Sequence, residues 1–193
     1  MLSGVPVRIN AGHRSCIRAV VALLDDDTLD DIGAVQSALQ AFYPDIPEHV
    51  GWEEAFSAMM TFLQGAPVPP LPGQKSKDGS GTTERAYSFL YDQEAIYAAF
   101  WQQYHIDLTH DALHWWVFRA LLNGLHDNHM AEIMHIRTAR EEPGMTSEQK
   151  KQLRKDKAYW KLPALAQETK QADAIAQALL NGGEGLEEAL GRA

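Results

Sequence analysis

Six of the eight histidines in this 193-residue chain fall between residues 105 and 135, so metal binding is the first chemistry to test. His110 and His114 are four apart and His126 and His129 three apart, spacings that can bring two imidazoles to one metal ion on a helix. A third ligand is the difficulty. His105 and His135 lie close in sequence to these pairs, but His110 precedes the predicted helix start, Asp127 falls in a predicted loop, and no carboxylate stands in a ligand-like register. No HExxH arrangement occurs. The one cysteine, Cys16, excludes an internal disulfide and leaves no CxxC pair. The run Asp25-Asp26-Asp27, with Asp31 after it, supplies paired carboxylates, but nothing nearby desolvates one of them to make an acid and base. Carboxylates there complement a helix start. The fragment GSGTT, residues 79–83, lacks the glycine-lysine-serine/threonine ending of a phosphate loop and has no preceding strand. No nucleophile elbow is present. The expectation is a non-enzymatic protein with no catalytic residues, cofactor or metal site.

Composition points the same way. A hydrophobic content of 45% with 22% charged residues is ordinary for a globular protein. The formal net charge of −9 opposes general nucleic-acid binding, which needs clustered cations to displace phosphate counterions. No apolar run is long enough to span a membrane, and the first residues, MLSGVPVRINAGHRS, lack the apolar core of a signal peptide. A single cysteine fits a reducing cytoplasm.

The elements that carry these residues are predicted to be helices. The densest apolar run is LHWWVFRALLNGL, Leu113 to Leu125. At helical spacing Leu113, Trp116, Val117, Ala120 and Leu121 share one side, and Trp115, Phe118, Leu122 and Leu125 the other, which predicts a helix buried on most sides. Asp111 is placed to cap it. Arg119 and Asn123 occupy the remaining strip, with the tryptophans one turn back, within reach of the guanidinium.

Ahead of this, Val5, Val7 and Ile9 alternate as in a short strand. A helix from about Ser15 to Leu24 presents Ile17, Val20, Val21 and Leu24 at helical spacing. A second, with Thr28 as N-cap, runs through Phe42, and a third, from about Glu48 to Gln64, faces inward through Trp52, Phe56, Met59, Met60 and Leu63. Residues 65–84 turn abruptly to Pro, Gly, Ser and Lys and read as a flexible linker or loop. Beyond it, Asp92 caps a helix to Tyr104, in which Ile96 with Phe100, and Tyr97 with Trp101 and Tyr104, make an aromatic face. Another runs from about Asn128 to Thr138 through Met130, Ile133, Met134 and Ile136. From Glu148 to Lys161 six lysines or arginines stand against two acids, a basic helix inside an acidic chain. Leu153, Tyr159 and Trp160 give it one apolar edge. A thin, alanine-rich stripe follows Pro163. The fold class is mainly α, a bundle of about six to eight helices, with this organisation: residues 1–64 an N-terminal helical half, 65–84 the linker, 85–163 a C-terminal helical core, and 164–193 an amphipathic helical tail.

Several of these blocks together resemble one family. AIYAAFWQQYHIDLT (Ala95 to Thr109), LHWWVFRALLNGL, EIMHIR (Glu132 to Arg137), the basic helix after MTSEQ, AYWKLP (Ala158 to Pro163) and the FYPDIP turn (Phe42 to Pro47) closely resemble the bacteriophage gene product 15 family, in order over most of residues 15–163. The tail after Pro163 extends past the resemblance. It implies a protein of long-tailed phages and prophages, encoded between the major tail protein and the tape-measure protein. Proteins in that position look like tail assembly chaperones, which hold the tape-measure protein in the host cytoplasm while tail-tube subunits assemble. The alternative it leaves open is a tail-completion or connector component retained in the virion. The expected partners are therefore the tape-measure protein, the tail-tube protein and further copies of the chain. Trp101, Trp115, Trp116, Phe118, Arg119, Lys151, Arg154, Lys155 and Trp160 are the candidate contact residues, with no role for nucleic acid or membrane.

Overall fold

A computed structural model describes residues 2–47, 50–65 and 85–163. Among them are seven helices and no sheet: α1 (His13–Leu24), α2 (Asp31–Phe42), α3 (Trp52–Gln64), α4 (Gln93–Tyr104), α5 (Trp115–Asn123), α6 (His129–Thr138) and α7 (Ser147–Tyr159). None of these helices is long and apolar enough to cross a membrane. Residues 66–84 and the tail from 164 onward, which the sequence reading assigns to a linker and an amphipathic helix, lie outside the described residues. The described chain falls into two compact units, one holding residues 2–65 and 112–118, the other 85–111 and 119–163.

In the first unit α1 packs on α2, and α2 on α3. The buried positions of α1 are His13, Cys16, Ala19 and Ala22, and those of α2 include Ala34 and Ala38. Such small side chains let two helix backbones approach closely, which corrects the predicted face of α1. Ile17, Val20 and Val21 are only half-buried and Leu24 is exposed, because the larger residues flank the contact line. Phe42, Phe56 and Met59 fill the interior. On α3 the inward face is Ala55, Phe56, Met59 and Leu63, with Trp52 left 37% exposed at its start.

Three other local expectations fail for identifiable reasons. Val5, Val7 and Ile9 form no strand: Leu2 and Val5 exchange backbone hydrogen bonds in a tight turn through Ser3 and Gly4, both at positive φ. Thr28 does not cap α2. Its hydroxyl donates to Asp26 Oδ1, while Asp30 accepts from the Gly33 amide at 2.8 Å and so is the cap. A Cβ on Gly33 would lie 2.8 Å from that same carboxylate oxygen, so glycine is what lets the cap close. Helix α3 starts at Trp52, not Glu48, after Gly51 in extended conformation.

In the second unit α4 and α6 pack together and α7 joins α6. Ile96, Ala99, Phe100, Leu122, Leu125, Met130 and Ile133 are buried. The end of α5 is held from α4: the Tyr104 hydroxyl donates to Leu121 O at 2.9 Å, and Gln103 Nε2 donates to Gly124 O at 3.0 Å. Gln103 Oε1 in turn accepts from the His126 amide and from Asn128 Nδ2. Asn128 caps α6 through the Ala131 amide.

Helix α5 is shorter and less buried than Leu113 to Leu125 suggests. Trp115, Phe118, Leu122 and Leu125 are inside, whereas Trp116 and Val117 are each 49% exposed and Ala120 is also exposed. Asp111 does not cap it, since its carboxylate accepts from the Asp107 amide; the Trp116 amide donates to His114 Nδ1 at 3.2 Å instead.

Candidate interaction surfaces

The two adjacent tryptophans of α5 have opposite fates. Both belong to the first unit, and both indole nitrogens donate to the end of α3, Trp115 Nε1 to Leu63 O at 3.0 Å and Trp116 Nε1 to Phe62 O at 3.1 Å. The last four carbonyls of a helix have no intrahelical partner, and α3 has no basic residue in its last turn to meet them. Trp115 is 3% exposed and stacks on the fully buried Phe118, which also stacks on His13. The extended link that enters α5 is pinned by His13 N donating to Leu113 O and by Trp115 N donating to Ala11 O. Trp115 and Phe118 are therefore framework, with no face to offer a partner.

Trp116 keeps a bonded nitrogen and an open ring face. It stacks on Phe62 at 5.0 Å, and His114 meets both rings edge-on. Exposed Val117 follows it on α5. A rigid aromatic surface held by hydrogen bonds behind it can be covered by an apolar partner without first being ordered.

The second unit has its own open aromatic positions. On α4 Trp101 is 52% and Tyr97 37% exposed, on the side opposite Ile96, Ala99 and Phe100. The aromatic face predicted for this helix is therefore divided: Ile96 and Phe100 are core, Tyr104 is half-buried against Phe100, and Tyr97 and Trp101 are open. Arg119 lies near the Tyr87 hydroxyl; burial pushes that phenol's pKa up, and the guanidinium opposes the shift.

On α7 the Thr146 hydroxyl and Gln149 side chain form a reciprocal capping box, and no residue of the helix is buried. Ser147, Lys150, Lys151, Arg154, Lys155 and Ala158 line an open hollow of about 510 Å³. Arg154 Nε donates to Glu141 Oε1 at 2.6 Å and Lys150 Nζ stands 4.0 Å from Glu141 Oε2. The hydrogen bond from Arg154 holds Glu141 below the usual carboxylate range. Lys151 and Lys155 are exposed on the neighbouring line of the helix.

Trp160, just past α7, is half-buried. Its carbonyl accepts from Arg137 Nε at 2.7 Å and its ring meets His129 and Tyr159 edge-on. Sequence reasoning missed Arg137. It is 7% exposed on the buried side of α6, where its guanidinium reaches Asp92 at 2.6 and 3.0 Å and Ala86 O at 3.2 Å. Asp92 was expected to cap α4; instead Oδ2 accepts from Ser88 N and the whole carboxylate faces Arg137. The available signal was the spacing of Arg137 from Met130 and Ile133, which places it on the apolar face.

The histidines are dispersed, and no three His, Cys, Asp or Glu residues among the described ones could hold a metal ion together. His105 ends α4 in the left-handed conformation, off the helix face, and His110 Nδ1 meets Asp107 at 2.9 Å within a turn.

The family model described as Bacteriophage Gp15 protein matches residues 2–162. No curated protein and no solved structure matches the chain.

Proposed function

The chain belongs to the Bacteriophage Gp15 protein family and is a phage structural or assembly protein, and from that premise we propose that it acts as a tail assembly chaperone for the tape-measure protein. A tape-measure protein is a long helical chain whose apolar stripe must be covered until tube subunits enclose it. A chaperone for it needs an apolar surface of helix width on a soluble body, the mode in which an amphipathic helix lies against a groove. The observation that carries the reading is the half-exposed Trp116, backed by Phe62 and flanked by Val117. Tryptophan dominates binding energy where it is held rigid and then desolvated by a partner. Trp101 and Tyr97 on α4 offer a second aromatic contact of the same kind.

In this reading binding is noncovalent, no reaction is catalysed, and release follows from competition by tail-tube subunits in the host cytoplasm. Co-expression with the neighbouring tape-measure protein tests it. The expected result is a soluble complex that forms only when both are present, weakened by Trp101→Ser or Val117→Ser. An insoluble tape measure beside the free protein overturns the chaperone role. Mass spectrometry of purified particles then tests the structural alternative, since a tail-completion or connector component is retained at a fixed copy number and a chaperone is missing.

A further inference from the structure

Helix α7 is formed without a buried face of its own. None of its 13 residues is buried, although an isolated helix of that length is marginal in water and most helices in proteins are stabilised by packing an apolar face. It is held at its ends and along one edge instead. The Thr146–Gln149 capping box closes its start, Arg154 Nε donates to Glu141, Lys157 Nζ donates to Ala139 O at 2.9 Å, and Arg137 Nε donates to the carbonyl of Trp160 just beyond it. The outer face is thereby preformed. Ser147, Lys150, Lys151, Arg154, Lys155 and Ala158 recur at i, i+3, i+4, i+7, i+8 and i+11 and line one open hollow, so the four cations share a face that begins and ends in small side chains. Residues 85–163 hold ten bases and ten acids, and six of those bases fall between 148 and 161. The cationic strip is therefore a property of α7 and not of the unit around it. Lys150 and Arg154 have Glu141 as an internal partner; Lys151 and Lys155 have no ion pair among the described residues. These two lysines stand one turn apart, about 6 Å along the axis.

We propose that this face of α7 docks a helix of another protein that presents two carboxylates four residues apart, paired by Lys151 and Lys155. Charge complementarity selects an acidic occupant, and the pattern of charge selects its class. Aspartates or glutamates at i and i+4 of a helix stand about 6 Å apart on one side, the same separation as the two lysines. Acids border the strip: Glu141 beside Lys150 and Arg154, and Glu148 one turn before Lys151. A protein helix can set carboxylates opposite the free lysines alone and neutral or basic residues opposite those acids. A nucleic-acid duplex cannot, because it carries a charge at about every 1.7 Å of its axis and brings phosphates against Glu141 and Glu148 as well. Ser147 and Ala158, small residues at the two ends of the face, leave room for a second helix to lie along it. Two exposed ion pairs are each weak, and a preformed helix has little freedom to lose on binding, so the contact is weak and reversible. It is independent of what the aromatic surfaces bind.

The test is an NMR titration of the full-length protein at low salt with alanine-based helical peptides that differ only in their acids. One carries glutamates at i and i+4, a second carries them at i and i+2, on different sides of the helix, and a third has glutamine in their place. The first is expected to shift the amide signals of residues 147–158 saturably, and the other two to bind at least about tenfold more weakly. The shifts should fade at about 0.5 M salt, where screening extends only a few ångströms. Lys151→Gln/Lys155→Gln, which keeps helix propensity and is checked for unchanged circular dichroism, should weaken the first peptide about tenfold, the combined effect of two surface ion pairs. The peptide comparison needs only the wild type, so it stands even where that variant is perturbed. Absence of a saturable shift at low salt overturns the proposal, as does equal binding of the three peptides or binding indifferent to Lys151→Gln/Lys155→Gln. A short DNA duplex that shifts the same residues at lower concentration than the first peptide also overturns it and assigns the strip to nucleic acid.

Discussion

Truncating Arg137 to alanine would strand the Asp92 carboxylate in a site where both partners are 7% exposed. Breaking a buried pair from one side costs about 3–5 kcal/mol, because the remaining charge is desolvated without compensation. Urea denaturation of Arg137→Ala is expected to show a loss of that size. Replacing both partners by apolar residues, Arg137→Met with Asp92→Leu, should recover part of it. The arginine also bonds Trp160 O and Ala86 O, so recovery stays incomplete. Trp115 offers a contrasting case. Trp115→Phe keeps most of the ring but removes the indole N–H that donates to Leu63 O, and the loss of one such hydrogen bond costs about 0.5–1.5 kcal/mol. Its neighbour Trp116, with an open face, should be more tolerant of the same change. Which of two consecutive tryptophans is core cannot be read from their types, since both are equally apolar and both use their indole nitrogen on α3.

At the scale of elements, helix identity was largely legible and helix faces were only partly so. Among the described helices, apolar periodicity located α1 to α6 within a few residues because Phe56, Met59 and Leu63, or Met130 and Ile133, repeat at helical spacing and are buried, whereas α7, with no buried residue, was legible from its charge. It misplaced the inner face of α1, where Cys16, Ala19 and Ala22 are inside, because a hydrophobicity pattern favours large residues and close helix contact favours small ones. It also missed how helix ends are satisfied. Helices α1 to α5 have no basic residue in the last turn. Distant neutral donors take that place: Asn10 at the end of α2, the tryptophans at α3, Gln103 and Tyr104 at α5. Turns carry their own electrostatics. Hydrogen bonds from the Thr109 hydroxyl and amide, with a further one from His110, hold Asp107 down at about 2. A depressed carboxylate contributes stability above its unfolded value and loses it as pH falls, here from 3.8 to about 2. Thr109→Val should raise the Asp107 pKa toward its ordinary value in an NMR titration and move that part of acid unfolding to higher pH.

The whole molecule divides its aromatic and charged residues between framework and surface, and the two classes should respond differently to mutation. Burial pushes the Cys16 thiol, and burial with Glu54 the Tyr43 phenol, up to about 12. Raised acids favour the folded state while neutral, so their contribution is full below their ordinary values of 9.0 and 10.0 and is lost as pH rises to about 12. Alkaline unfolding should therefore concentrate in that window, as circular dichroism against pH would show. Surface positions should leave this profile and the urea midpoint nearly unchanged. Trp101→Ser and Val117→Ser, at 52% and 49% exposure, are expected to shift stability by no more than about 0.5 kcal/mol. If these faces receive a tape-measure helix, the same substitutions should weaken capture about tenfold or more, the scale of an anchoring aromatic in an interface. Measuring both quantities on one set of variants separates the two roles. A residue whose loss lowers capture and stability together, as expected of Trp115, is framework, whereas one that lowers capture alone marks the surface the partner covers.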